Sequence, residues 1–164
     1  MSLSRPGGQP DPLLTKSFDW SVADGADKPR DDTDYITRVI ADATARLGVD
    51  HEKIVLAGNL RGGSMVRDVV CASPGQAQAF ASYFGVFRDP MAETCAGGTH
   101  LFHSHGVEDK TVSIAGRKLE WQGEPFEQGD IPKWLGIWWQ SLSCIEAAEP
   151  VNDAIALRMT RWRD

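Results

Sequence analysis

Between Lys53 and Met65 the chain reads KIVLAGNLRGGSM, and this segment leaves few choices of fold. Ile54, Val55, Leu56 and Ala57 form an unbroken apolar run, the pattern of a strand covered on both faces in a parallel sheet. The glycines around Leu60 predict a tight turn after that strand. Met65, Val66, Val69 and Val70 then line one side of a helix that ends before Pro74. Strand, turn and helix in such close succession predict an α/β fold: a short, mainly parallel sheet flanked by helices.

The rest of the chain extends this pattern. Tyr35, Ile36, Val39, Ile40, Ala43 and Leu47 recur at helical spacing, with aspartates at the start and Gly48 as the stop. Two further apolar runs, 79–86 and 99–104, predict strands that complete the parallel sheet with 54–57. Residues 116–129 read as a loop. Trp134, Leu135, Trp138, Trp139 and Leu142 predict a helix beyond Asp130, with Pro132 in its first turn. Alternation from Ala154 to Trp162 predicts a last strand, with Ile155, Leu157 and Met159 on one side. Residues 1–30, rich in Pro, Gly and Asp, read as an irregular segment ordered only through Phe18, Trp20 and Val22, and 31–164 as a single domain.

Charge and composition narrow the function classes. The 164 residues carry a net charge of -6 with scattered Lys and Arg, so no basic face is available to neutralise a nucleic acid backbone. No segment approaches the roughly 18 apolar residues of a membrane span, and the prolines and glycines of the first residues do not make a signal peptide. The chain as it stands therefore reads as cytoplasmic. Three cysteines, Cys71, Cys95 and Cys144, permit one disulfide and leave one thiol over; all three could equally be buried thiols in a reducing compartment. Without CxxC or Cys/His spacing, neither a structural zinc site nor another cofactor is implied.

Gly58-Asn59-Leu60-Arg61-Gly62 has the G-x-nucleophile-x-G frame of a nucleophile elbow, except at its centre. Such a turn holds a reactive side chain above the sheet, its small flanking residues relieve crowding, and the next backbone N–H serves an oxyanion hole. With this frame, the stretches DWSVADGADKPRDDTDYI, VLAGNLRGGSM, HSHGVEDKTVSIAGR and FEQGDIPKWLGIWW occur in order between Asp19 and Cys144. That segment resembles the polyhydroxybutyrate depolymerase and feruloyl esterase-like branch of the α/β-hydrolases. The resemblance implies a partial α/β-hydrolase core and hydrolysis of a small ester or polyester through an acyl-enzyme. It puts Leu60 at the nucleophile position, Asp109 at the triad acid, the Arg61 amide at an oxyanion donor and Gly62 beside it. It also pairs Cys71 with Cys95, and Cys144 with a cysteine beyond residue 164. By family the location would be extracytoplasmic.

The departures decide the chemistry. Leu60 has no heteroatom with which to attack an ester. The triad order is nucleophile, acid, histidine, yet the last histidine here is His105, ahead of Asp109. The resemblance also implies strands before Trp20 and a histidine-bearing strand and helix after residue 164, so the chain reads as truncated at both ends. A silent hydrolase is therefore expected; the rival expectation is a binding or assembly module, including a homo-oligomer formed through exposed sheet edges.

Other residues offer weaker chemistry. Ser64, one helical turn past Leu60, fits helix packing better than a displaced nucleophile. His103 and His105 share a strand face near Asp109, which admits a metal site or a pair of hydrogen-bonded strand-end imidazoles. Asp109 itself suits a turn as well as a triad. Asp31, Asp32 and Asp34 lack the spacing of a calcium loop and suit helix capping. The tryptophan stripe reads as core.

Overall fold

A computed structural model describes residues 9–10, 18–20, 31–86, 91–121, 124–142, 149–154 and 157–161. Its strands are β1 (Gln9–Pro10), β2 (Phe18–Asp19), β3 (Val55–Asn59), β4 (Ala79–Tyr83), β5 (His100–Ser104), β6 (Arg117–Trp121), β7 (Glu124–Gln128), β8 (Glu149–Ala154) and β9 (Leu157–Arg161). Its α-helices are α1 (Asp32–Leu47), α2 (Arg61–Ala72) and α3 (Ile131–Ser141). The fold is mixed α/β, centred on a parallel sheet of order β3-β4-β5.

Local chemistry explains the helices. The Asp31 carboxylate accepts the Asp34 N–H at the start of α1, and Gly48 closes the helix in the left-handed region at φ 63°. This is the capping role expected of the aspartate cluster. Asp130 repeats it for α3 by accepting the Lys133 N–H at 2.6 Å, with Pro132 in the first turn.

α2 covers one face of the sheet. Cα partners Leu56–Phe80–Leu101 and Gly58–Ser82–His103 lie side by side on that face, and Phe80 is fully buried. Met65, Val66, Val69 and Val70 of α2 share the core with Ile36 of α1, Val112, and Ile131, Trp134 and Trp138 of α3. The tryptophan stripe is thus core, as expected. Arg67, nearly buried, pairs with Asp68 at 2.6 Å and lies over the Trp134 ring at 5.7 Å.

The opposite face corrects one expectation. Val55 is 61% exposed and Phe102 50%, so the apolar run at 54–57 is covered on one side only among the described residues. An apolar run reports that a strand can be buried, not how many layers a chain supplies.

Three other corrections follow. The strand expected over 79–86 stops at Tyr83, because Phe84 takes φ 52° and turns the chain after its N–H makes a last bond to β5 at the Ser104 carbonyl, 2.9 Å. Residues 116–129 are a hairpin rather than a loop: β6 and β7 pair antiparallel from Arg117–Gln128 to Trp121–Glu124. Within the segment expected to be irregular, Gln9–Pro10 pairs with Phe18–Asp19, while Trp20 packs against the core as expected. The last strand is present as β9 and pairs with β8; Ile155 and Trp162 lie outside the described residues, as do Val22 and Cys144.

Cys71 and Cys95 form a disulfide with their Cα atoms 4.5 Å apart, the pairing that the resemblance implied. No helix of the described residues is long and apolar enough to cross a membrane.

Candidate functional site

The turn between β3 and α2 is sharp and strained at its centre. Leu60 sits at φ 52°, ψ -120°, a conformation that costs a side chain with a Cβ about 1–3 kcal/mol. Its N–H donates to the Tyr83 carbonyl at 2.9 Å and its carbonyl accepts the Ser64 N–H at 3.0 Å. The turn is thereby fastened to the end of β4 and to the first turn of α2. The Leu60 side chain, 51% exposed, is presented outward.

Glycines make this approach possible. A Cβ on Gly58 would fall 2.2 Å from the Gly62 carbonyl oxygen, and one on Gly63 would fall 2.6 Å from the Tyr83 carbonyl oxygen. Gly62 itself has open surroundings; the nearest atom to its missing Cβ is Trp20 Nε1 at 4.0 Å. Arg61 opens α2, so its amide lies at the helix end whose N–H groups point away from the helix. Its guanidinium donates to the Trp20 carbonyl at 3.1 Å, tying the turn to the segment before α1.

Phe84, one residue past β4, shares the positive φ of Leu60 at 52°. Because Asn59 and Tyr83 are Cα partners, these two bulky apolar residues follow adjacent strands at the carboxyl end of the sheet. Open α/β sheets bind their ligands at that end. Sequence reasoning missed Phe84, since only the following Gly85 hints at a turn there.

Asp109 anchors a turn. One carboxylate oxygen accepts the Thr111 N–H at 2.8 Å and the Val112 N–H at 2.9 Å. Those two bonds, Val112's foremost, hold its carboxyl below the usual carboxylate range. The other oxygen lies 3.9 Å from His105 Nε2, too far for a hydrogen bond. His105 Nε2 instead donates to the Val112 carbonyl at 2.8 Å, and its Nδ1 is buried with no hydrogen-bond partner among the described residues. Thus Asp109 and His105 both grip Val112, one at its N–H and the other at its carbonyl.

His103 stacks on His105 with ring centroids 5.8 Å apart. Burial, then the His105 and Arg67 charges, lower its pKa to about 4, so it is neutral near pH 7. His51 and His100 are exposed on the first turn after α1 and at the start of β5. Asp109 therefore hydrogen-bonds no histidine in the manner of a triad. Among the described residues no group of three His, Cys, Asp or Glu is placed to hold a metal ion.

Ser64 is fully buried, and its hydroxyl donates to the Val86 carbonyl at 2.7 Å. The structure brings together Leu60, Arg61 and Gly62 on one turn; Asp109 belongs to a separate turn beyond β5.

Compared with known proteins, the chain matches no family model, no curated protein and no solved structure.

Proposed function

We propose that this chain is a carboxylic-ester-hydrolase scaffold without turnover, which receives the acyl or aryl part of a small ester or polyester at the carboxyl end of the sheet and does not cleave it. The observation that carries the reading is Leu60 at φ 52° between apposed Gly58 and Gly62. A strained turn held by glycines is the support a nucleophile needs, and here it displays a hydrocarbon. Covalent catalysis requires a heteroatom lone pair and a base to take its proton. Leu60 supplies neither, and His105 Nε2 already donates to Val112. Leu60 and Phe84 offer exposed apolar surface suited to an uncharged group.

The test has two arms. Incubation with a fluorophosphonate and with a p-nitrophenyl ester should yield no covalent adduct and no turnover above the buffer rate. Titration with a non-hydrolysable aryl ether of similar shape should perturb the NMR signals of residues 58–62 and 83–85. Labelling of any residue from 58 to 64 would refute the silent scaffold, and the absence of perturbation at both turns would refute the binding site.

A second reading rests on a different observation. The open sheet face, with Val55 61% and Phe102 50% exposed, and the side of β3 that pairs with no strand among the described residues suit an assembly module in which a second copy covers the sheet. Light scattering decides it: a strict monomer at high concentration removes this reading and leaves the first untouched.

A further inference from the structure

We propose that the Cys71–Cys95 disulfide is a redox-sensitive latch on the loop 91–99, whose opening releases that loop while the core stays folded. The bridge joins the last turn of α2 to the loop across 24 residues of sequence, enclosing β4. Beside it the loop has few attachments among the described residues. The Ala96 N–H donates to the Cys71 carbonyl at 2.8 Å, and the Cys95 N–H donates to Ser141 Oγ at the end of α3 at 2.9 Å. Gly97 and Gly98 lie against the side chains of Pro74 and Leu142, and the Thr99 hydroxyl donates to the Gln78 carbonyl at 3.1 Å. The loop thus spans the ends of α2 and α3 and leads into β5.

The core does not depend on it. Among the described residues, every fully buried apolar side chain comes from α1, α2, the segment 77–81, Val112 or α3, and the loop adds only half-buried Met91 and Cys95 at the margin. Ala92, Glu93, Thr94 and Ala96 are exposed and both cysteines are half-buried, so a small dithiol has access to the bridge. In the opening step a dithiol's thiolate attacks one sulfur and the other leaves as a thiolate. The second thiol of the reagent then closes its own disulfide. The protein gains two electrons and two protons as two thiols, and the reagent is oxidised by the same amount. The remaining hydrogen bonds of the loop are individually weak, so its local opening becomes cheap compared with unfolding the sheet.

Hydrogen exchange by mass spectrometry on the full chain, with and without dithiothreitol, tests the latch. Reduction should raise exchange in 91–99 by roughly tenfold or more, foremost at the Cys95 and Ala96 amides, and leave α2 and β4 protected. The Cys71→Ser, Cys95→Ser double variant should show the same pattern without reductant. Unchanged exchange in 91–99 after reduction would overturn the proposal, because packing alone would then hold the loop. Loss of protection throughout the chain, or failure of the double variant to fold, would overturn it too, because the bridge would then be a staple of the whole fold.

Discussion

The Cβ that Gly58 lacks would lie 2.2 Å from the carbonyl oxygen of Gly62. The obstacle is backbone, which no rotamer change can relieve. Gly58→Ala should therefore push α2 off β3 and destabilise the protein by about 2–4 kcal/mol. Gly62→Ala is the contrasting change, because its added methyl meets open space and the position is helical. It should be neutral or stabilising by up to about 1 kcal/mol. Urea midpoints of the two variants measure the difference; equal effects would mean that the turn is looser than described.

Asp109 distinguishes a turn residue from a member of a proton relay. Its carboxylate accepts two backbone N–H groups, a task that an asparagine side-chain oxygen also performs. Asp109→Asn should retain most of the stability, whereas Asp109→Ala should lose about 1–2 kcal/mol by leaving the Thr111 and Val112 N–H groups without their acceptor. Thermal melts check the order of the variants. Because His105 holds the same Val112 from its carbonyl side, an Asp109→Ala, His105→Ala double-mutant cycle should show coupling, and strict additivity would remove the shared grip.

How much of this was legible in the sequence varies with the kind of signal. The boundaries of α1 could be read because Asp31 and Gly48 cap it through local chemistry that any aspartate or glycine so placed supplies. The parallel strands announced themselves as apolar runs. The β6–β7 hairpin did not: RKLEW and EPFEQ are largely polar, and their pairing depends on each other rather than on burial. The open sheet face was invisible for a related reason, since Val55 carries no mark of whether a second layer exists. The tight turn after β3 was legible in its glycines, whereas the matching φ of Phe84 was not, because phenylalanine disfavours that conformation and only tertiary contacts impose it. The role of Asp109 required the positions of Thr111, Val112 and His105 in space.

Acid should weaken the fold well before the carboxylates titrate. His103 has a folded pKa of about 4, lowered first by burial and then by the His105 and Arg67 charges. Its unfolded value is near 6.5, so between these limits the unfolded chain binds the extra proton and stability falls as pH falls. The stability that neutral His103 contributes is complete above about pH 6.5 and gone below about pH 4, a loss on the order of 3 kcal/mol. Asp109, whose folded pKa is also lowered, extends the decline: its contribution is present above the unfolded carboxylate value and is lost as pH falls through the folded one. Urea midpoints collected from about pH 7 to about pH 4 should descend for the unaltered chain and flatten for His103→Gln. A parallel descent in both would show that another group carries the acid sensitivity.

Restoring a hydroxyl should not restore chemistry. Leu60→Ser would place an oxygen on a turn already fastened to Tyr83 and Ser64, so the nucleophile's support needs no rebuilding. A serine hydroxyl with a pKa far above neutrality attacks an ester only when a base removes its proton during the attack. Asp109 hydrogen-bonds no histidine, the His105 nitrogen nearest it is protonated and donates to Val112, and His103 is held on the sheet face under α2. The variant should consequently turn over p-nitrophenyl esters at least about 10⁴-fold below a complete triad, with any residual rate coming from the backbone donors at the start of α2. Stopped-flow measurement should show no burst of p-nitrophenol. A burst equal to the protein concentration would mean that a base reaches position 60 after all, and that the chain lacks only the serine of an esterase rather than the serine and its base.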